Sequence, residues 1–225
     1  YIPKLELKTL ERSVDDQGLP LINFTTTEIE LEGCTPQHFG KNADKFRNAP
    51  LHDMYCIKPQ QNLKEIILKG VWESNLHKYL FLNIYKCENT TENNNSCATP
   101  EEIDKKLSGG KFYMIFPDVA VDSLEYHDPV STYQNAFFTN IGPNFVKYMY
   151  AYLQYLHINT DSGLIFSDFH NTSHIQYHHT DDRFDPAPQG SLIAQMEIKP
   201  HRAVESYERT YMKVTDLVAI VNTNA

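Results

Sequence analysis

Four histidines, His170, His174, His178 and His179, stand beside Asp181 and Asp182 in one polar stretch. Imidazoles in that number could hold a metal ion, or could charge together near about pH 6 and form a pH-sensitive loop. On a strand, His174 and His178 would share a face with Gln176 at a spacing of four. A strand-borne metal site favours neighbours two apart, and the stretch contains no H-x-H. It therefore reads as a solvated polar loop, with no metal and no cofactor expected. Two carboxylate pairs, Asp118 with Asp122 and Asp161 with Asp168, could in principle flank a glycosidic bond. Each leading member has a plainer use. Asp161 opens the turn Asp161-Ser162-Gly163, and Asp118 follows Pro117 in a turn-forming pair. The chain has no G-x-S-x-G, no H-E-x-x-H, no Gly-rich phosphate loop and no calcium-loop pattern. No catalytic residue is assigned, and the chain reads as non-enzymatic.

The cysteines are Cys34, Cys56, Cys87 and Cys97, without a C-x-x-C pair. Of the three possible connectivities, the sequential one, Cys34–Cys56 with Cys87–Cys97, costs least in loop closure. Four N-x-S/T sequons begin at Asn23, Asn89, Asn94 and Asn171. Two of them lie inside the polar Cys87–Cys97 loop, where a glycan is easily accepted. Crosslinks and sequons together point to the secretory-pathway lumen or the cell exterior. A net charge of −9 without a basic cluster excludes nucleic acid as a partner. No stretch approaches the roughly 20 apolar residues of a membrane helix. The chain begins at Tyr1, as a processed piece of something longer would.

Fourteen Tyr and 12 Phe against one Trp favour sheets. The longest alternating segment, Phe145–Thr160, is apolar or aromatic on both sides and predicts a central strand covered on both faces. Its Tyr148, Tyr150 and Tyr152 share a face, which is read first as core filling and second as a partner-docking face. After Gly163, Leu164-Ile165-Phe166 should start the antiparallel return strand. Leu63–Leu68 and Lys78–Cys87 predict a hairpin, and Phe112–Phe116 a strand that ends at Pro117. Thr99-Pro100-Glu101-Glu102 predicts a capped helix over 100–107 that Gly109-Gly110 stops. The expected fold is mainly β, a twisted antiparallel two-sheet sandwich with that one short helix. Residues 1–20 read as an N-terminal arm or peripheral hairpin, 21–204 as the β-rich domain, and 205–225 as a C-terminal segment loosening towards helix.

The tail carries Tyr207, Arg209, Tyr211, Lys213, Asp216 and Ala219 in the order Y-x-R-x-Y-x-K-x-x-D-x-x-A. With Tyr55-Cys56-Ile57, Leu68-Lys69-Gly70, the Cys87–Cys97 loop followed by Glu101-Glu102-Ile103, and Thr160 through Phe166, it resembles a family of transmembrane proteins expanded in ciliates. In that family the tail signature precedes a C-terminal membrane segment and continues as I-G-G. Here Ala219 to Ala225 departs from it. The resemblance implies a glycosylated ectodomain held by membrane segments outside this chain, and it supplies no catalytic residues. The function expected is a non-enzymatic extracellular or lumenal interaction ectodomain. Its partners would be other protein chains in a surface or membrane-associated assembly, together with N-linked glycans. A lumenal cargo or ligand receptor with pH-dependent release, and a glycan hydrolase, are the alternatives.

Overall fold

The computed structural model describes residues 1–46, 51–59, 66–89, 97–125, 129–186 and 190–216. The protein is mainly β. Strands β1 (Ile2–Val14), β2 (Pro20–Ile29), β5 (Leu76–Tyr85), β8 (Val146–Asp161), β9 (Phe169–Asp185) and β10 (Leu192–Thr210) form one sheet in the order β2-β1-β5-β10-β8-β9. Two small sheets, β3 (Leu31–Gly33) with β4 (Tyr55–Ile57) and β6 (Lys111–Val121) with β7 (Val130–Asn140), the α-helix α1 (Pro100–Leu107), two 3₁₀ segments, Pro36–Phe46 and Leu51–Asp53, and a helical turn at 214–216 complete the described elements.

Alternation sorts the sheet into a dry and a wet face. Leu5, Leu7, Ile84, Met149, Ala151, Ala194 and Met196 are buried. Phe112, Met114 and Phe137 of the β6–β7 pair, with Ile103 and Leu107 of α1, pack on the right-hand part of this set. Leu31 and Ile57 of the β3–β4 pair pack on Leu5, Leu7 and Ile29 at the other end. Both small sheets therefore act as a second layer over the large one. The helix begins as its sequence dictates. Thr99 accepts from the Glu102 N–H, Glu102 reaches back to the Thr99 N–H, Pro100 occupies the first turn, and Gly109 beyond the end takes φ 83°.

Several expectations shift. The sheet is mixed, because β10 runs parallel to β8 while the other pairs are antiparallel. β9 ends and β10 begins on opposite sides of the start of β8, so β10 leaves that point in the direction of β8. Residues 1–20 are not peripheral. β1 lies between β2 and β5 with Leu5, Leu7 and Leu10 buried. Residues 205–210 continue β10, and helical backbone begins later than expected, at 214–216. Pro117 does not end its strand, since β6 runs on to Val121 in a two-stranded sheet that tolerates a missing N–H. The return strand starts at Phe169, and Leu164, Ile165 and Phe166 stay exposed in the turn. Residues 63–65 lie outside those described. Among the described residues the predicted hairpin shows the single bridge Lys69 to Lys78. β8 is an interior strand, one in from the edge.

Candidate functional site

Tyr148, Tyr150 and Tyr152 alternate with buried Met149 and Ala151, so they lie on the wet face and are half-buried. Register builds a lattice around them. Tyr148 stands opposite Arg183, Tyr150 opposite Asp181 and Glu197, and Tyr152 opposite His179 and Lys199. Cations cover the rings. Arg183 lies 5.3 Å from the Tyr148 centroid and 5.8 Å from Tyr150, while Lys199 lies 4.7 Å from Tyr150 and 5.3 Å from Tyr152. Farther along the same face, Lys8 sits 3.6 Å over Phe81. These rings lie under charged side chains rather than in the core, a correction to the core-filling expectation.

At Tyr152 both neighbouring strands are irregular. The pairing of β8 with β9 jumps from Tyr152–His179 to Leu153–Tyr177, leaving His178 as an extra residue. That of β8 with β10 jumps from Leu153–Pro200 to Tyr155–Val204, so residues 201–203 oppose Gln154 alone. Pro200, which has no N–H to give, marks the second break. Bulges re-aim side chains. Here they gather His178, His179 and His201, whose ligand atoms lie within 4.8 Å of one another, with His178 exposed and the other two half-buried. The rings stand nearly perpendicular in pairs. Their centroids are 4.6 Å apart for His178–His179, 4.2 Å for His178–His201 and 5.5 Å for His179–His201. Tyr152 stacks on His179 at 4.6 Å. The His179 Nδ1 is buried without a hydrogen-bond partner, and its Nε2 lies 3.6 Å from the Asp181 carboxylate. The His201 Nδ1 accepts the Ala203 N–H at 3.1 Å. Partial burial, then the nearby His178, His179 and Arg202, lower the His201 pKa.

The predicted histidine group is thus divided. His178 and His179 join His201, which sequence spacing missed. His174 lies farther down β9 opposite Leu156, and His170, at the Thr160 end of the strand, is 3.5 Å from Asp168. A Pro inside an otherwise strand-like run, followed directly by His201, is the signal that could have found it.

The carboxylates set aside earlier are occupied. Asp118 is 2% exposed, and it accepts from Tyr133 Oη at 3.0 Å, Asn135 Nδ2 at 2.9 Å, and the Val119 and Tyr177 N–H groups at 2.9 and 3.1 Å. Asp161, 3% exposed, accepts from the Gly163 and Asp168 N–H groups at 3.1 and 2.8 Å and pairs with Lys213 Nζ at 2.8 Å. The Lys213 contact first, then these N–H donors, hold its carboxyl well below the usual range. Buried Arg209 donates to the Glu125 carbonyl, to Tyr211 Oη and to Thr160 Oγ1. The Lys213 N–H donates to Asp216 at 3.0 Å. Arg209 and Lys213 therefore bolt the chain end to the end of β8 and the β8–β9 turn, with Tyr211 and Asp216 bonded to them in turn. An open groove of about 450 Å³, lined by Ile2, Lys4, Glu28, Glu30 and Tyr55 among others, contains none of the paired aspartates.

Cys34–Cys56 and Cys87–Cys97 are both bonded, the sequential pairing. Two disulfides belong to an oxidising secretory or extracellular setting. Asn23 and Asn171 are exposed on β2 and β9, the two edge strands of the large sheet, and Asn89 is exposed within the Cys87–Cys97 loop. Asn94 lies outside the described residues. Among the described residues no helix is long and apolar enough to cross a membrane.

Residues 4–200 match the model of a family described as an uncharacterised 80 kDa protein N-terminal domain. The chain belongs to that family. The match takes in the tyrosine face, His178 and His179. It stops one residue before His201, and the tail signature lies beyond it. No curated protein and no solved structure matches the chain.

Proposed function

We propose that this chain is a non-enzymatic extracellular or lumenal interaction domain that docks another protein chain on the wet face of its large sheet. The observation that carries this reading is the cation-covered tyrosine row of β8, with Phe81 and Lys8 continuing it across β5 and β1. Tyr and Arg are the side chains enriched at interface centres, because large rings and planar guanidinium groups bury much area at small entropic cost. The sequons at Asn23 and Asn171 stand on the edge strands, where glycans would discourage strand addition and leave a face as the docking surface. Anchoring at a cell surface, through membrane segments outside residues 1–225, draws support from the resemblance of the tail signature to the ciliate-expanded transmembrane family. Exposed Leu164, Ile165 and Phe166 lie beside that tail, joined to it by the Val214 N–H to Leu164 carbonyl bond of 3.0 Å.

Lysine footprinting tests the reading. In the native assembly, Lys8 and Lys199 should lose acylation relative to the isolated domain, while Lys105 and Lys106 on α1 keep it. Equal labelling of Lys8 and Lys199 in both states would overturn the docking face. The pH-released receptor is a second reading, favoured by the histidine cluster at one end of this face. It predicts that the assembly parts between about pH 7 and 5, as the imidazoles charge against each other and Arg202.

A further inference from the structure

We propose that His178, His179 and His201 form a binding site for a divalent transition-metal ion of the Zn²⁺ class. The inference is independent of what docks on the tyrosine face. Three imidazoles with no carboxylate or thiolate among them suit Zn²⁺, Cu²⁺ or Ni²⁺ and not Ca²⁺ or Mg²⁺. Zinc-bound nitrogens at about 2.0–2.1 Å from the ion lie about 3.4 Å apart in a tetrahedron. The three ligand atoms, within 4.8 Å of one another, need to close by at most about 1.4 Å. His178, exposed on the bulge of β9, has the freedom to do so.

The second observation is the orphaned Nδ1 of His179, a buried nitrogen with no hydrogen-bond partner. With the proton on Nε2, facing the Asp181 carboxylate at 3.6 Å, this ring offers its Nδ1 lone pair to an ion. A carboxylate behind a ligating imidazole is the usual means of fixing its tautomer and raising its basicity. Tyr152, stacked on the ring, holds its plane. His201 must exchange the Ala203 N–H for the ion, or turn to present Nε2 with the proton moved to Nδ1. The neighbouring cation Arg202 is drawn to the Glu73 carboxylate. Three protein nitrogens leave a fourth position on the solvent side, as in open zinc sites.

The test is a calorimetric titration of the untagged chain with Zn²⁺, paired with Co²⁺ substitution read by visible absorption. One ion per chain and the intense bands of tetrahedral Co²⁺ are expected. His179→Ala and His201→Gln should each weaken binding at least tenfold, and Asp181→Asn about tenfold. The double change His170→Ala/His174→Ala should leave binding unchanged. The proposal is overturned if wild type gives neither heat nor tetrahedral Co²⁺ bands. It is also overturned if His178→Ala/His179→Ala/His201→Ala, with a native circular dichroism spectrum, binds as wild type does. Should that variant not fold, the wild-type Co²⁺ spectrum decides, because weak octahedral bands alone would mean scattered surface binding.

Discussion

At Tyr152, strand β8 borders His178, His179 and His201; at its far end, Asp161 borders Lys213 and the β9 turn, and Thr160 meets Arg209. Both groups are polar and both sit beside irregular backbone. They differ in how fully their atoms are used. Around Asp161 one carboxylate oxygen takes two backbone N–H groups, the other faces Lys213, and that ammonium also reaches Ser167 Oγ at 2.8 Å. Arg209 spends its terminal nitrogens on a carbonyl and two hydroxyls and leaves only Nε without a partner. In the histidine group a buried Nδ1 has no partner, and three rings that repel one another when charged are pressed together. A satisfied cluster contributes to the fold, whereas an unsatisfied one in a stable protein is a place where something else can bind.

Substitutions can break that contrast, and they rank by how much packing or pairing each removes. Leu156→Ala, in the wall between the two groups and fully buried against Val119, should cost about 3 kcal/mol in urea unfolding through the cavity left behind. A loss below about 1 kcal/mol would mean the wall is not packed as described. Arg209→Met should cost about 2 kcal/mol, because the guanidinium bonds to the Glu125 carbonyl, the Tyr211 hydroxyl and Thr160 Oγ1 are lost and only the Tyr211 hydroxyl still donates to that carbonyl from this group.

Lys213→Met should change the acid limb of the stability curve. The folded Asp161 carboxyl titrates below its unfolded value of about 4, so its contribution is complete above that pH and drains away as pH falls through the folded value. Without Lys213 the folded carboxyl returns towards the unfolded value. Stability measured from pH 5 downwards should then fall less steeply than in wild type, from a lower starting point. An unchanged slope would remove Asp161 from the bolt. In the histidine group the sign is alike and the effect smaller. His201, with its folded pKa below the ordinary imidazole value, contributes fully above about pH 6.5 and loses its contribution as pH drops towards the folded value. His201→Gln should flatten that limb. Smallest of all, Lys199→Met should cost about 0.5 kcal/mol, the worth of a surface cation over a ring with its ion pair to Glu197. A loss of 2 kcal/mol there would make the wet face a structural element rather than a docking one.

Local chemistry determined a good deal from sequence alone. Alternation named β5 and β8 as extended chain, because the two sides of a strand must meet different surroundings. The Thr99–Glu102 box placed α1, since its donors and acceptors are all within one turn. Loop-closure cost chose the disulfides. Non-local pairing decided the rest. Whether Tyr148, Tyr150 and Tyr152 meet the core or charged neighbours depends on which side β6–β7 and α1 cover, and alternation is silent about that when both sides are apolar. His201 came to His178 and His179 only because two bulges fall on either side of Tyr152. A bulge inverts the parity on which spacing arguments rest, so consecutive histidines that regular pleating would send to opposite faces converge on one ion-sized space.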